Sequence, residues 1–149
     1  MHSKIVLMLG LAAAALSSGM EETALDRLRL TTDRLIAVGE DMVGEPISGT
    51  MGPGDTVEVA VALDSTYSYH IYIWTNSMFN LVDFWVRDPC GEVAEMADGD
   101  HSTLSIYPDT VGEFRLMMTL HQAEEADSAG YAAALFHRPR MSMATPEGG

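Results

Sequence analysis

Lysine disappears from this chain after residue 4, and cysteine occurs once, at position 90. A single cysteine excludes an intramolecular disulfide, so the stability of the folded chain must come from its core. The shortage of cations leaves 22 acidic residues against eight basic ones and a net charge of −14. So acidic a surface repels phosphate backbones and anionic lipid, which excludes nucleic acid and membrane surfaces as partners. The acids are spread evenly, the pattern of a solvated face suited to a salty medium in which screening relieves self-repulsion. Catalytic and metal motifs are missing as well. There is no Gly-x-Ser-x-Gly elbow, no short-spaced His/Cys set for zinc and no EF-hand loop. No repeat of 20–50 residues is visible, which excludes a solenoid or a propeller.

Long apolar runs are also scarce, with one exception. Lys4 is followed by an apolar stretch from Ile5 to Leu16 and then by Ser17, Ser18 and Gly19. This is the three-part layout of a secretory signal peptide, with Ala15/Ser17 or Ser17/Gly19 available as the small residues before cleavage. Twelve residues fall short of the ~20 that a spanning helix needs. Residues 1–19 are therefore expected to be a signal peptide. With no cysteine after the apolar run for lipid attachment, the product is expected to be periplasmic or secreted, without membrane insertion after cleavage. With Lys4 removed, 22 acids face seven arginines and the net charge becomes −15.

Residues 20–39 read as one amphipathic helix. Leu25, Leu28, Thr32, Leu35 and Ile36 share a stripe at 100° per residue, Glu21, Glu22 and Asp26 suit the start, and Gly39 suits the stop. From residue 46 the period changes to two. Val57, Val59, Val61 and Leu63 alternate with Glu58, Ala60 and Ala62, and further strands are expected at Tyr69–Trp74, Leu81–Arg87, Val93–Met96, Thr103–Tyr107, Glu113–His121 and Tyr131–His137. In Glu113–His121 the residues Phe114, Leu116, Met118 and Leu120 are expected to point inward. Asp88-Pro89-Cys90-Gly91 fits a type I turn. Seven or eight short strands broken by Gly, Pro and Asp predict a mainly β fold: an antiparallel, jelly-roll-like β-sandwich over residues 45–138, preceded by the helix. Residues 139–149 lack periodicity and are expected to be a disordered tail.

Three constellations could carry function. Tyr72, Trp74 and Trp85 crowd two neighbouring strands: facing outward they would form a platform for a protein or a carbohydrate, facing inward they would be core. Asp83, Asp88, Asp98 and Asp100 could converge on calcium, although aspartates in turns are also ordinary turn formers. Cys90 with one of His70, His101, His121 or His137 would make a hydrolase only if the fold joined them. No other cofactor is suggested.

The run Leu81-Val82-Asp83-Phe84-Trp85-Val86-Arg87-Asp88-Pro89-Cys90-Gly91-Glu92-Val93 resembles the central motif of the bacterial pre-peptidase C-terminal-like β-sandwich domains. Asp83, Asp88 and Gly91 match that motif, and Leu81 stands where it has its first aspartate. Gly112-Glu113-Phe114-Arg115-Leu116-Met117-Met118, Ile47–Met51 and Tyr69–Ile73 are similar to its flanking strands. The resemblance covers about residues 45–137. It implies a non-catalytic, extracytoplasmic module of the kind that assists secreted enzymes in export or substrate attachment.

Overall fold

The computed structural model describes residues 23–77, 80–99, 101–123 and 128–140. The expected signal peptide and all but two residues of the expected tail lie outside them. Among the described residues are one helix, α1 (Ala24–Ala37), and eight strands: β1 (Asp41–Met51), β2 (Thr56–Leu63), β3 (Tyr67–Thr75), β4 (Leu81–Arg87), β5 (Val93–Asp98), β6 (His101–Ile106), β7 (Gly112–Gln122) and β8 (Ala129–Pro139). Strand pairing follows one rule. β4 pairs with β5, β3 with β6, β2 with β7 and β1 with β8, all antiparallel, as in one long hairpin with its apex at residues 88–92. Rolling that hairpin gives two four-stranded sheets, ordered β1-β8-β3-β6 and β2-β7-β4-β5. This is a jelly-roll β-sandwich, the fold class the sequence predicts.

The apex turn forms as its residues require. The Gly91 N–H donates to the Asp88 carbonyl at 2.8 Å, and Gly91 takes φ +89°, a left-handed conformation that glycine adopts without steric cost. The core lies between the sheets. It takes alternate residues of each strand, among them Val57, Ile71, Ile73, Val82, Phe84, Val86 and Leu104, together with all four β7 residues expected to point inward. Each such side chain contributes roughly 1.5–3 kcal/mol on leaving water.

Helix α1 starts at a capping box. The Asp26 N–H donates to Thr23 Oγ1 at 3.1 Å, and the Thr23 N–H donates to Asp26 Oδ2 at 3.2 Å. It ends in a Schellman motif, with N–H donation from Glu40 to the Leu35 carbonyl and from Gly39, at φ +96°, to the Ile36 carbonyl. Its buried residues Ala24, Leu28 and Thr32 press on the outer face of the first sheet. Ala132 and Ala134 of β8 are small there, which lets the helix approach closely. Ile36, expected in the stripe, is 48% exposed. It stands about 80° from Leu28 around the helix and in the last turn, at the margin of the contact.

Several strand ends differ from expectation by one or two residues, β6 spanning His101–Ile106 rather than Thr103–Tyr107, and the sandwich passes both of its expected limits. β1 begins at Asp41, because a bulge lets Val43 pair with Leu135 and Ile47 with Ala133, so Gly44, Glu45 and Pro46 together oppose Ala134. Pro139 belongs to β8 rather than to the tail, since it pairs with Tyr67 at the start of β3.

Candidate binding face

The two sheets differ in what covers their outer sides. Helix α1 lies on β1-β8-β3-β6, and no described element lies on the outside of β2-β7-β4-β5. On that open face residues from four strands line up in rows. The middle row is Glu58, Met117, Trp85 and Met96, each the direct cross-strand partner of the next. Trp85 and Met117 are half-buried, and Met96 is 69% exposed. Cross-strand neighbours stand about 4.5–5.5 Å apart, so the two thioethers flank the indole in a continuous apolar band.

Charged and polar rows border the band. On one side are Ala60, Arg115, Arg87 and Val93. Arg115 is held at 2.6 Å from Glu58 and 3.5 Å from Glu113, and Arg87 donates to the Gly91 carbonyl at 2.8 Å. On the other side are Thr56, Thr119, Asp83 and Asp98, with the two threonine hydroxyls 3.0 Å apart. His121 Nε2 lies 2.7 Å from Asp83 Oδ2 with both side chains about half exposed, where an ion pair adds little stability. The face has an apolar centre with an ionic rim.

The other two aromatic candidates lie on the opposite side of the molecule. Tyr72 and Trp74 point out of β3 under α1, so the three residues do not form one platform. Trp74 Nε1 donates to Thr31 Oγ1 at 3.2 Å, its ring stacks on His101 at 4.3 Å, and the Arg27 guanidinium sits 4.7 Å from its centroid. Tyr72 packs edge-on against Phe136 at 5.5 Å. Burial first, then the negative charge of Glu40, raises the Tyr72 phenol above its ordinary pKa. These two residues dock the helix.

The aspartate candidates separate as well. Asp83 and Asp98 are direct partners across β4 and β5. Asp88 lies at the far end of β4, about 16 Å away at 3.3 Å per residue, where its Oδ1 accepts the Cys90 and Glu92 N–H groups at 2.9 Å. Asp100 lies outside the described residues. Among the described residues no three His, Cys, Asp or Glu side chains form a group that could hold a metal ion.

Cys90 is exposed in the β4–β5 turn, and no histidine lines either of the two clefts beside it. The histidines have other neighbours. His70 Nδ1 lies 3.1 Å from Ser105 Oγ, and burial, then the Arg138 guanidinium, lowers the imidazole pKa against the opposing effect of Glu40. His137 stacks on Tyr67 at 4.2 Å. The Met117–Trp85–Met96 band and the His121–Asp83 pair escape sequence reasoning because both depend on strand register between segments far apart in the chain.

No family model matches the chain, and no curated protein does. Among solved structures it is similar to a periplasmic inhibitor of g-type lysozyme from Aeromonas hydrophila, at 13% identity and a TM-score of 0.48, over 68% of this chain and 90% of the inhibitor. It is also similar to an arabinose-bound α-L-arabinofuranosidase at 14% identity and a TM-score of 0.33, over 66% of this chain and 18% of the enzyme.

Proposed function

We propose that this chain is a non-catalytic, exported binding module that docks a protein partner on the open face of the β2-β7-β4-β5 sheet. One observation carries the reading: Trp85 sits between Met117 and Met96 at the centre of the sheet face that the helix leaves uncovered. Tryptophan, methionine and arginine are the residues that interface cores favour, and a charged rim that excludes water from an apolar centre is the usual surround of a hot spot. The apolar run Ile5–Leu16 with its small-residue border supports export to the periplasm or beyond. The likeness of residues 81–93 to the pre-peptidase C-terminal-like motif supports an accessory role beside a secreted enzyme.

Affinity capture from the exported fraction tests this with three baits: the wild-type chain, Trp85→Ala, and Leu30→Ala on the exposed side of α1. A protein retained by the first and third and lost from the second is the expected result. Equal capture by all three, or no capture by any, overturns the proposal.

A further inference from the structure

The edges of the two sheets meet where β5 runs beside β6, and there the sandwich opens into a cleft of about 420 Å³. It is bounded by the turn at residues 88–91 and the loop at 107–110, and it shares no residue with the Met117–Trp85–Met96 band. Its volume falls in the range of small-molecule sites. Pro89 and Tyr107 supply exposed apolar walls, with the buried Ile106, Pro108 and Phe114 behind them. The Tyr107–Pro108 wall is tethered from outside, because Arg140 Nη1 donates to the carbonyls of Pro108 at 2.6 Å and Ser65 at 3.0 Å, and its guanidinium stands 6.0 Å from the Tyr107 ring. A wall held in this way is formed before a ligand arrives.

The charges lining the cleft have one sign. Asp88, Glu95 and Asp109 line it, with no lysine, arginine or histidine. Asp88 is engaged in holding its turn. Glu95 is different. Its cross-strand partner is the fully buried Val86, so its carboxylate emerges on the inner side of β5 and into the cleft, while the next residue, Met96, points outward. Among the described residues that carboxylate has no hydrogen-bond or ion-pair partner. A carboxylate without a partner, standing beside apolar walls, is free to take a cationic group as its counter-charge.

We propose that this cleft binds a small organic cation, an amine carried on an apolar or aromatic body, with the ammonium against Glu95 and the body against Pro89 and Tyr107. The walls decide against a hard metal ion, which needs six to eight convergent oxygens. They suit an organic body. The net charge of −14 concentrates cations at the surface and disfavours anionic ligands.

The test compares tyramine with its neutral analogue 4-ethylphenol and its anionic analogue 3-(4-hydroxyphenyl)propionate, by calorimetry on the full chain. The alkylation rate of Cys90 by iodoacetamide serves as an independent readout, since Cys90 lines the same cleft. Expected are tyramine binding at least about tenfold tighter than either analogue and slower Cys90 alkylation at saturation. Glu95→Gln should remove the preference for tyramine with an unchanged melting curve. Trp85→Ala should leave tyramine binding intact, which separates this site from the protein-docking face. Equal affinity for the three compounds, or no binding and no protection of Cys90, overturns the proposal. An inward charge on an edge strand can also serve to block strand pairing. If Glu95→Gln self-associates while its tyramine affinity is unchanged, that role replaces the ligand site.

Discussion

Gly49 and Tyr131 are direct partners across β1 and β8, and the Tyr131 ring lies over Gly49 so closely that a Cβ there would stand 2.6 Å from the phenol oxygen and 2.9 Å from Cζ. Tyr131 is among the largest fully buried side chains, and burial raises its pKa. Gly49→Ala should therefore destabilise the fold by about 1–3 kcal/mol through overpacking. Tyr131→Phe added to it should recover part of that loss by removing the nearest atom. Urea denaturation of the two single variants and the double variant measures the coupling.

The two tryptophans should respond unequally to truncation. Trp74→Ala removes a helix-docking contact and should cost about 2 kcal/mol or more. Trp85→Ala loses only cross-strand contacts with two methionines on an open face, and should cost about 1 kcal/mol or less. Thermal melts of both variants decide it. A larger loss for Trp85 would remove the argument that its face is kept for binding.

His70 contributes to the loss of stability on the acid side. Its folded pKa lies below the value near 6.5 expected of the unfolded chain, through burial first and Arg138 second. Between those two values the unfolded state binds more protons, so stability is full above pH 6.5 and falls as the pH drops towards the folded pKa. Denaturation midpoints at pH 5 and pH 8 should differ less in His70→Gln than in the wild type.

Capping of α1 provides a further check. Thr23→Ala removes the hydroxyl that accepts the Asp26 N–H, and should cost about 1 kcal/mol. Since Tyr72 and Trp74 lie under the helix, the same variant should raise acrylamide quenching of indole fluorescence. Unchanged quenching would mean that the helix stays docked without its cap.

The alternation of β7 made its inward face legible, as did the Asp88–Gly91 turn and the Gly39 stop, because each rests on contacts within a few residues. β1 was harder to bound, because its bulge at residues 44–46 breaks the period of two. Trp74 and Trp85 were indistinguishable in the sequence, both being aromatic residues on apolar strands. Strand order alone sends β3 to the sheet that carries the helix and β4 to the sheet that does not. The cleft beside Glu95 was invisible for a similar reason, since it exists only where the edges of two sheets come together.

The pairing rule of the strands also has a consequence in time. Closing a loop costs more entropy as its length grows, so β4 and β5, joined by five residues, meet at the lowest cost, while β1 and β8 enclose nearly the whole domain. We expect folding to start at the apex and to proceed outward to the β1–β8 seam, where α1 then docks. φ-values at Gly91 should exceed those at Tyr131, and the reverse order would contradict this sequence of events. The seam that closes last is also the one from which both ends of the described chain depart.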